Sequence, residues 1–95
     1  MIYELLERMN AVGRENAISR KALKGFTGLS DRRIRRQIEE ERRNKMPIIS
    51  NTQEGGYYLP ETEFELRAYV SEQRSRIQSQ ILALAPLERE LNGGM

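Results

Sequence analysis

The chain has 95 residues and a formal net charge of +2, and it contains neither cysteine nor histidine. This composition excludes disulfide bonds, thiolate or imidazole metal sites, cysteine nucleophiles and histidine general bases, so we expect a protein that is not an enzyme and has no cofactor or metal. No apolar run is long enough to span a bilayer, and the first seven residues include two glutamates where a signal peptide would be basic. We therefore expect a cytoplasmic protein.

The charge is distributed unevenly along the chain. Residues 14–45 contain eleven Lys or Arg and five Asp or Glu, a local charge of +6, while the rest of the chain sums to −4. A basic block inside an otherwise acidic chain is typical of a surface that binds a polyanion.

The first element predicted along the chain is a helix from about Ile2 to Asn10. It places Leu5, Leu6 and Met9 on one face. After a charged loop, residues 17–18 are long enough only for a small edge strand.

Two short helices with a glycine between them follow. Ser19 and Ser30 can each cap a helix N-terminus, and Gly28 provides the backbone freedom of a tight turn. We predict a second helix from Arg20 to about Phe26 and a third from Asp31 to about Arg43. The second helix would offer its leucine and its phenylalanine, Leu23 and Phe26, to a core.

Residues 46–50 and 57–59 predict two short strands around a glycine-rich loop, residues 51–56. Strand alternation predicts that one of Tyr57 and Tyr58 points into the core and that the other lies on the outer face of the sheet. The order helix, strand, helix, turn, helix, hairpin is the winged helix arrangement, with the loop as its wing. The expected fold is therefore mainly α with a small β-hairpin, an α+β class, with a winged helix-turn-helix domain in residues 1–60.

Residues 61–95 predict one long C-terminal helix that starts near Glu61 and is kinked or restarted at Pro86. Its apolar stripe either folds back on the first helix and the hairpin or pairs with a second copy of the chain, and we favour a homodimer. Leu87 and Leu91 continue the stripe beyond the proline. The predicted dimer seam consists of Leu66, Val70, Gln73, Ile77, Gln80 and Leu84.

The third helix carries the candidate base-reading residues, because only the first turns of a recognition helix reach base edges in the major groove. These are Asp31, Arg32, Arg33, Arg36 and Gln37. The candidate phosphate contacts are Ser19, Arg20, Lys21, Lys24, Ser30, Arg35 and Arg43. In the wing, Asn51, Thr52, Gln53 and Gly55 could touch DNA only through amides or polar side chains.

A second interpretation treats the arginines as an ordinary solvated face. Arg35 with Glu39, and Arg36 with Glu40, stand at the i,i+4 spacing that favours ion pairs on a helix surface. The run of glutamates at 39–41 is then a solubilising stretch in the middle of the helix.

Several segments resemble small winged helix-turn-helix DNA-binding proteins of bacteria and their prophages. The similar motifs are Ser-Arg-x-x-Leu from Ser19, Thr-Gly-Leu-Ser ending at Ser30, Arg-x-Ile-Arg-x-x-Ile ending at Ile38, Pro-Ile-Ile-Ser at 47–50 and Gly-Gly-Tyr-Tyr-Leu-Pro at 55–60. The resemblance implies DNA contacts by Ser30, Arg32, Arg33 and Arg36. Two positions depart from that pattern, because Lys24 replaces a small alanine and Glu41 replaces a core leucine. The third helix therefore either ends near Glu40 or places Glu41 at the rim of the core.

Together these features predict sequence-specific binding of double-stranded DNA, without a small-molecule ligand, by a dimeric transcriptional regulator or an accessory factor of phage DNA processing. The alternative is a protein-interaction adaptor in a phage replication or recombination complex, which the acidic wing favours.

Overall fold

The computed structural model describes residues 1–51 and 53–93. Thr52 of the predicted wing and residues 94–95 of the predicted C-terminal segment lie outside the described residues. The elements are α1 (Ile2–Arg8), a short 3-10 turn (Arg14–Asn16), α2 (Arg20–Thr27), α3 (Asp31–Arg43), β1 (Ile49–Ser50), β2 (Tyr57–Tyr58) and α4 (Glu63–Gly93). The mainly helical α+β fold, with a small hairpin followed by a long C-terminal helix, is thereby confirmed.

The turn between α2 and α3 forms as the local sequence predicts. The Ser19 hydroxyl accepts the N–H of Ala22 at 3.1 Å, and the Ser30 hydroxyl accepts the N–H of Arg33 at 3.3 Å. Gly28 ends α2 in the left-handed conformation with φ of 71°. Each serine satisfies a backbone donor that the first turn of a helix leaves open.

The core lies between α1, α2, α3 and the hairpin. Helix α1 ends at Arg8, two residues earlier than predicted, because Asn10 adopts a left-handed conformation with φ of 55°. Ile2 and Leu6 are its buried residues, whereas the predicted Leu5 and Met9 are only half-buried. Among the described residues, the largest fully buried side chains are Ile2, Leu6, Leu23, Ile34, Ile38 and Ile49.

The prediction that Phe26 enters the core is wrong, because its side chain is 59% exposed. The Thr27 hydroxyl donates to the carbonyl of Leu23 at 2.7 Å and accepts the N–H of Leu29 at 3.1 Å. This local turn brings Leu29 back onto the core, where its half-buried side chain packs.

The hairpin is extended by a bridge to the predicted edge strand. Ile18 and Tyr57 exchange two backbone hydrogen bonds of 2.9 Å. The two tyrosines of β2 point to opposite faces, as strand alternation predicts, and both are buried at 7% exposure. Tyr57 packs in the core, and α4 lies over Tyr58 on the other side.

Helix α4 starts with a capping arrangement of side chains. The Thr62 hydroxyl accepts the N–H of Glu65 at 3.1 Å, and the Glu65 carboxylate accepts the N–H of Glu61 at 2.8 Å. The helix continues through Pro86 to Gly93, so the predicted restart is wrong. None of the residues 63–93 is buried. Among the described residues, no helix is both long and apolar enough to cross a membrane.

Candidate nucleic-acid interface

Helix α3 separates its isoleucines from its arginines. Ile34 and Ile38 are 1% and 2% exposed and hold the helix against the core. At 100° per residue, Arg32 and Arg36 point away from these isoleucines. The arginine face of α3, as we call it, consists of the exposed residues Arg32, Arg33, Arg35 and Arg36.

The arginine face makes no close ion pair with its neighbours among the described residues, although Glu39 lines the same shallow surface as Arg32, Arg35 and Arg36. The second interpretation required ion pairs from Arg35 to Glu39 and from Arg36 to Glu40. Among the residues that the structure describes, neither pair approaches within 4.0 Å. The guanidinium groups therefore face solvent with their hydrogen-bonding capacity unused by carboxylates.

A shallow concavity joins α2, the start of α3 and the tip of the hairpin loop. Arg20 and Lys21 from α2 line it together with Gly55 from the loop. Lys24 also lines it, and its ammonium lies 3.6 Å from the Asp31 carboxylate. This ion pair accounts for a lysine at 24, because the lysine bridges α2 to the first residue of α3. It also engages Asp31, one of the predicted base contacts.

Gln37 is directed away from the arginine face. It is half-buried, and its amide donates to the Glu41 carboxylate at 2.9 Å. The predicted base contact by Gln37 would require that hydrogen bond to break. Arg43 is exposed and lies on the same side of α3 as Arg32 and Arg36. It is the last residue of the helix and is therefore far from the first turns.

Glu41 was predicted to be part of a solvated stretch and is instead 7% exposed. Its two carboxylate oxygens accept the backbone N–H of Ile2 at 2.9 Å and of Tyr3 at 2.7 Å, at the start of α1. The sequence left two alternatives, that α3 ends near Glu40 or that Glu41 lies at the rim of the core. The second alternative is confirmed, because α3 continues to Arg43 and Glu41 is among its buried residues. The carboxylate replaces the missing cap of α1, whose preceding residue, Met1, makes no side-chain cap.

The hydrogen bonds around Glu41 decide its charge state. Burial raises the pKa of the carboxyl, but the N–H groups of Tyr3 and Ile2 and the amide of Gln37 lower it by more. The net pKa lies below the ordinary value for glutamate, so the group is ionised near neutral pH.

The hairpin loop uses its predicted DNA-contact residues in other ways. Asn51 is 5% exposed, and its side-chain oxygen accepts the N–H groups of Gln53 and Glu54 at 3.2 Å each, so it shapes the loop from inside and is unavailable to DNA. Gln53 accepts a hydrogen bond from the Arg14 guanidinium. Thr52 lies outside the described residues. The loop has no basic residue of its own, but Arg14 stands beside it.

Arg42 is a bridging residue that the sequence interpretation missed. Its Nε donates to the Ile48 carbonyl at 2.9 Å, and its Nη2 donates to the Ser50 hydroxyl at 3.0 Å and the Tyr69 hydroxyl at 3.3 Å. The guanidinium also lies 5.9 Å from the centre of the Tyr69 ring. The available signal was the position of Arg42 next to Ile38 on the helical wheel, beside the core rather than opposite it.

Arg42 thus connects α3, the hairpin and α4, and the same junction covers Tyr58. Burial raises the pKa of the Tyr58 phenol, the Glu65 carboxylate raises it further, and the nearby Arg14 opposes both. The orientation of α4 against the body of the molecule therefore depends on this polar junction.

The predicted dimer seam lies open in the single chain. Leu66 and Gln73 are half-buried. The other positions, Val70, Ile77, Gln80 and Leu84, are exposed. The amide nitrogen of Gln73 is turned inward and has no hydrogen-bond partner among the described residues.

No protein-family model, no curated protein and no solved structure matches this chain.

Proposed function

We propose that this chain is a winged helix protein of the cytoplasm that binds double-stranded DNA sequence-specifically, with α3 as the recognition helix. The observation that carries the proposal is the arginine face of α3. Four guanidinium groups project from a helix whose opposite side is locked in the core, and acidic partners within 4.0 Å are absent among the described residues.

Arginine on such a face can bind guanine O6 and N7 through two parallel N–H groups, which is worth roughly 1–3 kcal/mol of discrimination for each good pair. We expect Arg32 and Arg36 to make these contacts. Arg20 and Lys21 lie in the neighbouring concavity, so we assign them to the phosphate backbone, where contacts orient the protein and release counterions.

The experiment is selection of binding sites from a random duplex pool, followed by titration of the recovered sequence at two salt concentrations. Recovery of one motif bound at least about 1,000-fold more tightly than bulk DNA supports site-specific recognition. Salt-sensitive binding without an enriched motif refutes the base-reading role of α3 and leaves an architectural function.

Single substitutions separate base reading from backbone binding. Arg32→Ala and Arg36→Ala should lower the preference for the selected motif about 5- to 150-fold, which corresponds to roughly 1–3 kcal/mol. Lys21→Ala should weaken all sequences alike and reduce the salt slope by about 1. Arg89→Ala removes the same charge from the exposed outer side of α4 and serves as the matched control, with no expected change in preference.

A protein-interaction adaptor is the second candidate, and the hairpin loop favours it. The loop carries Glu54 and no basic residue of its own, which is unusual for an element that approaches phosphates. Absence of DNA binding in both salt conditions would refute the first proposal and favour this one.

A further inference from the structure

Helix α4 carries a heptad pattern of apolar residues that two glutamines interrupt. Leu66, Gln73, Gln80 and Leu87 alternate with Val70, Ile77, Leu84 and Leu91 at spacings of four and three. In heptad notation the first set occupies d and the second set a. The pattern covers residues 66–91, and this 3.5-residue period is the signature of a left-handed coiled coil rather than of a helix packed singly on a globular core.

Most of the stripe is exposed in the single chain, and only Leu66 and Gln73 are half-buried. Val70 is 42% exposed, Ile77 is 55% and Leu84 is 51%. Beyond the proline, Leu87 and Leu91 reach 63% and 87%. Such a run of aliphatic side chains on a helix of this length requires a partner, because helix propensity alone gives little stability in water.

The two glutamines identify that partner as a second copy of the same chain in parallel orientation. In a parallel pair, Gln80 faces the partner's Gln80, and Gln73 meets the partner's Gln73 once its amide turns outward from the inward position that it has in the single chain. A side-chain amide holds both a donor and an acceptor, so identical amides can bond each other across the seam. In an antiparallel pair of full overlap, Gln73 would face the partner's Leu84 and Gln80 the partner's Ile77, which would leave four amides against aliphatic groups.

The residue types at a also favour two strands. Val70 and Ile77 are β-branched at a, and Leu66 and Leu87 stand at d, which is the combination that favours parallel dimers over higher oligomers. Pro86 falls at an outward heptad position, so its ring lies off the seam.

The flanking charges are compatible with the same arrangement. Residues at g in one helix lie beside residues at e of the next heptad in the partner, and none of these pairs joins like charges. The pairs are Tyr69 with the partner's Arg74, Arg76 with the partner's Ile81, and Ala83 with the partner's Glu88.

The body of the molecule leaves room for a second helix. It meets α4 through Tyr69, whose hydroxyl accepts from Arg42, and through the carboxylates of Glu65 and Glu72 near Tyr58. These α4 residues lie to one side of the a and d stripe on the helical wheel, and only the half-buried Leu66 and Gln73 belong to the stripe itself. A two-fold axis along the seam would place the second body on the opposite side of the coil.

We infer that two copies of this chain associate through α4 as a parallel, two-stranded coiled coil with Gln73 and Gln80 as its register-setting layers. If the proposed DNA binding also holds, the two arginine faces are related by a two-fold axis, and the recognised site is an inverted repeat.

The test measures the mass of the full chain by sedimentation equilibrium in the absence of DNA, so that its outcome is independent of the DNA proposal. We expect a dimer at about 50 µM chain, with dissociation on dilution. Ile77→Lys should raise the dissociation constant at least about 100-fold and yield monomers. Leu82→Lys is the matched control on the opposite face, 63% exposed, and should stay dimeric. A wild-type monomer, or equal loss in both variants, overturns the inference.

Cysteine cross-linking decides the orientation, because the natural chain has no cysteine. Leu91→Cys should form a disulfide-linked dimer with itself under mild oxidation, since the two positions meet only in a parallel coil. A mixture of Leu66→Cys and Leu91→Cys chains in which the two variants link only to each other would establish an antiparallel pair and refute the inference. Circular dichroism of each variant should match that of the wild type, because both side chains lie outside the buried core.

Discussion

Replacement of Glu41 by glutamine tests whether a buried carboxylate caps α1. The carboxylate accepts three hydrogen bonds, from the N–H of Ile2 at 2.9 Å, the N–H of Tyr3 at 2.7 Å and the amide of Gln37 at 2.9 Å. Glutamine keeps one acceptor oxygen and turns an NH2 group toward the remaining donors. The Ile2 N–H is in a buried bond, and an unsatisfied buried donor costs about 1–3 kcal/mol.

We therefore expect Glu41→Gln to lower the free energy of unfolding by about 1–3 kcal/mol at pH 7. For a domain of this size, a loss of about 2 kcal/mol lowers Tm by roughly 8–16 °C. Urea titration followed by circular dichroism measures the change. Glu40→Gln is the matched control, because Glu40 is adjacent to Glu41 in the chain and its side chain is exposed. This substitution should change the free energy of unfolding by no more than about 0.5 kcal/mol.

The pH dependence follows from the direction of the shift. The pKa of Glu41 is lower in the folded chain than its ordinary value, so its stabilising contribution is present above the unfolded pKa of about 4.3 and is lost as pH falls through the folded pKa. The gap between wild type and Glu41→Gln should therefore narrow between pH 7 and pH 3. A gap that is absent at pH 7, or one that is unchanged at pH 3, would refute the capping role.

Two glycines and one arginine give further expected outcomes. Gly56→Ala should cost at least about 2 kcal/mol in a thermal melt, because φ is +120° and an added Cβ would lie 2.6 Å from the Ile18 carbonyl oxygen. Gly25→Ala meets nothing within 4 Å inside α2 and should instead stabilise by about 0.5–1 kcal/mol in the same assay. Arg42→Lys should lose about 1–3 kcal/mol in urea titration and should speed amide hydrogen exchange in the first turns of α4, because lysine cannot bond the hairpin and the Tyr69 hydroxyl together. Unchanged exchange in α4 would show that this arginine does not hold the helix.

The predicted features that hold are those that local physics specifies. Serine hydroxyls at 19 and 30 cap the helices that directly follow them, and Gly28 turns the chain because a glycine has no Cβ to disfavour the left-handed conformation. The two isoleucines of α3 are four residues apart, so their periodicity alone places them on the buried face and the arginines opposite. The start of α3 and the side on which its arginines lie were therefore available from the sequence, whereas its end at Arg43 and the absence of close ion pairs among the described residues came from the structure.

The features that the sequence could not predict depend on contacts between residues that are distant in the chain. In the sequence, Glu41 looks like a solvated side chain. In the fold, α1 brings two backbone donors to it from residues 39 and 38 positions away. Asn51 looks like a polar DNA contact in the sequence, and only the folded loop encloses its side chain. Strand alternation places one tyrosine of β2 on the outer face of the sheet, but only the packing of α4 buries that ring. Burial of a polar group is stable only when specific partners satisfy it, and those partners are brought together by tertiary packing rather than by neighbours in the chain.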